Sequence, residues 1–214
     1  HVYSDIGEYQ KAEEYLLRVI DIDPNLAAPY DSLGTLYSRI GDYDKAIQHY
    51  EMAVDIEPNI STLYYNLGLS YFYKEDYEKA IGNYEKALKL NPNDQAFYYN
   101  LGLACFKLKQ NDKALVNYQK ALSIDPNFVQ AIYGTGSVCL SMKKYNDAIT
   151  ALVRVRTVFS RYEEWLMRSY LLSGDCYVKL NDKRNAAEMY RAVLSKYRGT
   201  PIGDEAAQKL RKVQ

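Results

Sequence analysis

Two histidines and three cysteines are the side chains of this chain best suited to nucleophilic, acid–base or metal chemistry, and their spacing argues against all three. A metal site needs three or four ligands that converge. His1 and His49 are far apart in sequence, and neither shares a short ligand spacing with Cys105, Cys139 or Cys176. A cysteine nucleophile needs a partner base, and the only histidines are His1 and His49. Phosphate-binding loops, dinucleotide fingerprints and zinc-protease motifs are missing from the sequence. Gly134-Thr135-Gly136 is a close glycine pair, but it lies in the middle of an expected helix and not at a strand-to-helix turn, so phosphate binding is not expected there. The chain reads as non-enzymatic, with no cofactor and no metal.

The elements that carry these residues follow from a repeat. Residues 27–60 place Tyr30, Leu33, Gly34, Tyr37, Ala46, Tyr50, Ala53 and Pro58. Residues 61–94 repeat the same offsets as Tyr64, Leu67, Gly68, Tyr71, Ala80, Tyr84, Ala87 and Pro92. Residues 95–128 give Tyr98, Leu101, Gly102, Cys105, Ala114, Tyr118, Ala121 and Pro126. Glycine inside a helix costs about 1 kcal/mol relative to alanine, so Gly34, Gly68 and Gly102 are expected to receive a large side chain, the tyrosine at 50, 84 or 118. Each proline ends a second helix because it lacks the amide hydrogen and biases its predecessor away from helix. The cysteines fit this frame. Cys105 and Cys139 stand at the offset of Tyr37 and Tyr71, and Cys176 one position earlier, where core packing is the expected role.

This spacing resembles the tetratricopeptide repeat, closely over 27–128 and loosely over the rest of the chain. The resemblance implies an all-α, right-handed superhelical solenoid of antiparallel helix pairs, a single domain over 1–214 closed by a capping helix. Residues 1–26 read as a partial repeat on Tyr3, Ala12 and Pro24. Residues 129–162 keep Gly136 and Ala148 but place Ser160 where the proline recurs, and four residues, 163–166, follow before 167–200 re-enters register. The divergent stretch 129–166 is expected to be the weak link of the array, since a poor repeat uncouples its neighbours. Residues 201–214 read as the cap, with Thr200 and Pro201 at its start and Ile202, Ala206, Ala207, Leu210 and Val213 in one apolar stripe.

What the resemblance implies about function is a concave groove lined by the first helix of each pair. Transferred by offset, the expected partner-binding residues are Tyr65, Asn66, Leu69, Phe72, Tyr99, Asn100, Leu103, Phe106, Tyr133 and Leu140, joined by Tyr73, Lys107 and Ser137. Relatives that clamp a peptide's terminal carboxylate use Lys, Asn, Asn, Lys and Arg. The matching positions here are Tyr65, Leu69, Asn100, Gln130 and Gly134, so the cations are missing and the clamp is disfavoured. An aromatic and aliphatic groove suits a peptide held by apolar anchors. The expected function is a protein-interaction scaffold within a larger assembly. The alternative is a docking region of a larger enzyme or a bacterial envelope or secretion machine, because residues 170–201 look like the terminal repeats of envelope assembly proteins.

Formal net charge is zero, with 27 basic and 27 acidic side chains, but the two signs are unevenly spread. Residues 1–94 hold 17 acidic and 8 basic side chains, and 95–214 hold 10 acidic and 19 basic. An elongated particle of this kind can offer an acidic and a basic end to partners, or to another copy of itself. The basic residues come without a nucleic-acid-binding signature, so nucleic acid is disfavoured. No apolar run approaches the length of a bilayer span. The chain reads as a fragment opening in mid-repeat, cytoplasmic or from the bacterial cell envelope depending on sequence that precedes it.

Overall fold

Twelve helices account for almost all of the described chain in the computed structural model, and no strand occurs among the described residues. The structure describes the backbone of residues 2–214 and the side chains of 8–214; His1 and the side chain of Tyr3 lie outside them. Two compact units divide the chain at 108/109. The first contains α1 (Val2–Ile22), α2 (Ala27–Arg39), α3 (Tyr43–Ile56), α4 (Ser61–Tyr73), α5 (Tyr77–Leu90) and α6 (Gln95–Lys107). The second contains α7 (Asn111–Ile124), α8 (Val129–Ser141), α9 (Tyr145–Val158), α10 (Glu163–Lys179), α11 (Lys183–Tyr197) and α12 (Pro201–Arg211). Within each unit, consecutive helices pack on one another, with α2 against α3, α4 against α5, α8 against α9 and α10 against α11 as the closest pairs.

The pairing rests on tyrosine rings seated over bare helix backbone. A methyl group added to Gly34 would lie 2.6 Å from the Tyr50 ring, at Gly68 2.7 Å from Tyr84, and at Gly174 2.4 Å from Tyr190. Those distances are inside van der Waals contact, so the helix axes approach as they do only because the glycines are there. In the second unit Tyr118 seats its ring over Gly134 of α8, where an added methyl would come within 2.7 Å of it. Gly136, two residues on, receives Leu152 of α9. The glycine pair of α8 is thus explained by packing on two sides.

The turns obey the same period. Gly41 has φ +81°, and the equivalent Glu75, Lys109, Lys143 and Asn181 adopt the same left-handed conformation with φ between 59° and 62°. Left-handed backbone costs an ordinary residue roughly 1 kcal/mol or more. In three of these turns an aspartate caps the next helix: Asp42 accepts from Lys45 N–H, Asp76 from Lys79 and Asp182 from Asn185.

The four extra residues 163–166 extend a helix and do not form a loop. α10 has 17 residues where α2, α4, α6 and α8 have 13, which is one added turn. That turn carries Trp165 onto the ring of Tyr133, with centroids 5.3 Å apart. There it joins buried Val129, Ile132, Val155 and Phe159. The stretch that lost its proline is therefore filled with aromatic side chains. α12 closes the second unit as the apolar stripe implies, burying Ala206 and Val213 beside Ile202 and Leu210. Its Thr200 hydroxyl caps Gly203 N–H, and Pro201 occupies the first turn.

His49 shows how burial bears on pH. Its ring stacks on Tyr37 at 5.3 Å and 3°, half-buried, with Nδ1 lacking a hydrogen-bond partner among the described residues. Burial pushes its pKa below 6.5 despite the opposing influence of Glu13, with Lys45 adding to the fall. The unfolded chain then binds a proton more readily than the folded one. Stability from this site is constant above about pH 6.5 and declines as the pH falls from there toward the folded pKa. Urea unfolding of the wild type between pH 7.5 and 5.5 should show this loss, and a His49→Phe variant, which keeps the stack, should flatten it. A second prediction contrasts two helix glycines. An added methyl at Gly82 of α5 meets nothing within 4 Å. Gly82→Ala should stabilise by about 1 kcal/mol, whereas Gly68→Ala should destabilise by about 1–3 kcal/mol in the same denaturation assay.

Candidate functional site

In the first unit, the first helices α4 and α6 carry the expected groove residues, and hydrogen bonds between neighbouring helices sort them into two sets. Asn66 Nδ2 donates to Asp31 Oδ1 at 3.3 Å, and Asn100 Nδ2 donates to the Tyr65 hydroxyl at 2.9 Å and to the Ala96 carbonyl at 2.9 Å. The Tyr65 ring also stacks on Phe97 at 4.6 Å. Burial, reinforced by Asp94, pushes the Tyr65 phenol up to about 12, so it stays neutral at physiological pH. Tyr65, Asn66 and Asn100 are therefore occupied in tying one first helix to the next. Asp31, which the sequence reading left outside the site residues, belongs with them.

Leu69, Phe72, Leu103 and Phe106 on the same helices are half-buried, as is Tyr99. The Phe72 ring meets Tyr77 edge-on at 5.3 Å and Tyr73 at 5.9 Å. Tyr73 is 59% exposed and stacks on Tyr43 at 5.2 Å. Leu69, Phe72, Leu103 and Phe106, with Tyr73 beside them, form an aromatic and aliphatic surface.

Position 69 has a further consequence. The Tyr50 hydroxyl shares a 3.1 Å hydrogen bond with Thr35, fifteen residues before it, and the Tyr190 hydroxyl donates at 2.8 Å to Asp175, also fifteen residues before it. The equivalent partner of Tyr84 is Leu69, which offers no acceptor, and the buried Tyr84 hydroxyl has no hydrogen-bond partner among the described residues. A buried unsatisfied hydroxyl costs about 1–3 kcal/mol.

The second unit holds Tyr133 and Leu140, each on the wall of a separate pocket. Tyr133 lines a cavity of about 440 Å³ with Arg168, Leu172, Ile202 and Glu205. Leu140 lines one of about 560 Å³ with Lys143, Lys179, Lys212, Val178 and Val213. Asp175 and Lys209 border both. Lys209 Nζ lies 2.6 Å from Asp175 Oδ2 and 3.1 Å from Glu205. Burial works against the ammonium, but those two carboxylates hold the Lys209 pKa above its ordinary value. Tyr190, buried and donating to Asp175, is raised well above the usual phenol range. The sequence reading placed neither pocket. Its usable signal was the repeat spacing: Asp175 and Lys209 are 34 residues apart, and the Asn66–Asp31 and Asn100–Tyr65 contacts span 35.

The three thiols are buried and free of disulfides. Burial pushes Cys176 up to about 11 and raises Cys139, which removes thiolate reactivity at neutral pH. Among the described residues no three His, Cys, Asp or Glu side chains gather to hold a metal ion, and no helix is long and apolar enough to cross a membrane.

Comparison with known proteins places this architecture. Family models described as tetratricopeptide repeat match residues 1–58, 96–128 and 168–200, and one described as TPR repeat matches 68–109. A search of curated proteins finds no match. Among solved structures, the chain is similar to PilW, a type IV pilus biogenesis factor, with a TM-score of 0.81 at 16% identity, covering 96% of this chain and 93% of that one. It is similar to YrrB, described as a TPR protein with an unusual peptide-binding site, with a TM-score of 0.72 at 22% identity, covering 92% and 99%. The first TPR of Spaghetti (RPAP3), bound to the HSP90 peptide SRMEEVD, matches with a TM-score of 0.53 at 26% identity over 54% of this chain and 92% of that one. The 34-residue spacing, the tyrosine-on-glycine contacts and the four family matches agree that this chain belongs to the tetratricopeptide repeat family.

Proposed function

We propose that this protein is a non-enzymatic interaction scaffold that holds a peptide or partner segment on the first-helix surface of its N-terminal unit, as part of a larger assembly. Leu69 carries this reading. It leaves the Tyr84 hydroxyl unsatisfied at a cost to folding, and an apolar contact with a partner is the return that would offset it. Tyr65, Asn66 and Asn100 hold the surface in place, while Leu69, Phe72, Tyr99, Leu103 and Phe106 supply the contacts; in the second unit Tyr133 and Leu140 play the corresponding part. YrrB has a peptide-binding site and the Spaghetti repeat holds a peptide, so a peptide is the ligand class with which this reading begins.

Leu69→Thr separates the two roles of that side chain. The threonine hydroxyl reproduces the Thr35 arrangement and should raise stability by about 1 kcal/mol, while partner capture weakens. Leu69→Asp with Leu103→Asp should lower capture about thirtyfold or more, because carboxylates would be buried against an apolar partner, with helical content retained by circular dichroism. Affinity capture of the full chain with crosslinking mass spectrometry supplies the readout. Undiminished capture by the double variant would end the proposal. The identity of the captured protein also separates this reading from docking inside an enzyme or envelope machine.

The charge distribution suggests self-association as well. The first unit has 17 acidic and 9 basic side chains and the second 10 acidic and 18 basic, so copies would attract through unlike units. Sedimentation should show association at low salt that fades as the Debye length shrinks from ~10 Å at 0.1 M to ~3 Å at 1 M. A monomer at high protein concentration and low salt would dismiss it.

A further inference from the structure

We infer that the pocket of the second unit bounded by Lys143, Lys179 and Lys212 binds an acidic peptide segment that carries an apolar side chain between its carboxylates. This site goes beyond the apolar surface of the first unit and shares only Leu140, in its floor, with the reading above. Three helix ends bring the lysines together: Lys143 follows α8 in its left-handed turn, Lys179 is the last residue of α10, and Lys212 caps the end of α12. A fourth ammonium, Lys209, stands in the wall of the same cavity of about 560 Å³. Asp175 is the one carboxylate there, and it is already committed to Lys209 at 2.6 Å and to the Tyr190 hydroxyl at 2.8 Å. Lys143, Lys179 and Lys212 have no carboxylate within ion-pair distance among the described residues. The pocket therefore presents three uncompensated positive charges around a small cavity, where low-dielectric walls strengthen attraction for anions.

The floor decides between anionic ligands. Leu140 and Val213 line the cavity beneath the lysines, with Val178, 41% exposed, at its side. A phosphate or a nucleic-acid backbone would leave those aliphatic groups uncovered, and of the two tyrosines in the lining Tyr190 is fully buried, which leaves only the half-buried Tyr145 for a base to stack on. A peptide meets both halves of the site, with glutamate or aspartate carboxylates at the lysines and one aliphatic side chain on the floor. Lysine ammoniums act as point charges without a fixed geometry, so the pocket reads acidity and an apolar anchor more than an exact order of residues. The three unpaired lysines also lie outside the carboxylate-clamp positions considered above, and no free chain terminus is required.

The test uses the full chain and a fluorescent decapeptide, acetylated and amidated, with glutamates on both sides of one central leucine. Anisotropy should show saturable binding that weakens with salt. Replacing the glutamates by glutamine should abolish it, and replacing the leucine by glycine should weaken it. Lys143→Glu, Lys179→Glu and Lys212→Glu together should reduce affinity about tenfold or more, since three exposed charge pairs are lost. Circular dichroism and thermal unfolding would confirm that this triple variant keeps its fold. Leu69→Asp with Leu103→Asp should leave binding of this peptide unchanged, which separates failure here from failure of the first-unit reading. Three results would overturn the inference: no binding by the wild type, equal binding by the triple variant, or lysine-dependent binding of an oligothymidylate but not of the peptide. Loss of self-association alone in the triple variant, with no peptide bound by the wild type, would assign the pocket to a second copy of the chain and equally overturn it.

Discussion

A tyrosine ring pressed against bare helix backbone is the contact on which the remaining structure depends. Two helices can approach closely only where one gives up its side chains, and glycine at 34, 68 and 174 does so beneath Tyr50, Tyr84 and Tyr190. The cost of glycine in a helix is about 1 kcal/mol per site, which burial of a whole aromatic side chain exceeds. Once a pair is locked in this way, its first helix stands at a set height beside the next first helix. That alignment makes the 34- and 35-residue contacts possible. The second unit adapts the scheme without abandoning it. Tyr118 uses Gly134 and Leu152 uses Gly136, so α8 is thinned twice, and Trp165 refills the space that the altered repeat leaves near Tyr133.

The same ring also decides what happens on the first-helix surface, because it ends in a hydroxyl. Where the residue fifteen positions earlier is Thr35 or Asp175, the hydroxyl is satisfied inside the fold. Where it is Leu69, the hydroxyl is left alone and an aliphatic side chain stands on the surface instead. The choice at one offset thus exchanges folding stability for surface character. At Asp175 it does something further: the carboxylate takes the tyrosine proton donor on one oxygen and Lys209 on the other, which anchors the capping helix through a half-buried ion pair. Because Asp175 is consumed in this way, the lysines around it remain uncompensated, and an element of stability becomes the setting of a basic pocket.

Charge follows a coarser logic than packing. Repeat contacts constrain about eight offsets in 34, and the other positions vary more freely. Acidic residues accumulate in the first unit and basic ones in the second within that freedom. The balance sums to zero for the chain, but each unit by itself carries a net charge, negative in the first and positive in the second. The fields of such charges steer encounters over roughly a Debye length and then give way to the specific contacts of a surface.

By itself the sequence determined the architecture, because a repeat states its contacts several times over. The glycine at 34 and 68, the tyrosine at 50 and 84 and the proline at 58 and 92 each imply the same geometry, and helices α2 to α5 form around them. The cap was legible for a similar reason, since Thr200, Pro201 and an apolar stripe carry a start signal and a face. Tertiary structure decided which surface residues are spent and which remain. Tyr65 and Leu69 read alike as groove residues four positions apart, yet one is held by Phe97 and Asn100 while the other strands a buried hydroxyl. Nothing in the spacing of Lys143, Lys179 and Lys212 joins them, and only the fold brings these three helix ends to one cavity. Local spacing encodes a contact that recurs with the period of the repeat. A convergence of unlike positions from separate helices has no period, and it exists only once the chain has folded.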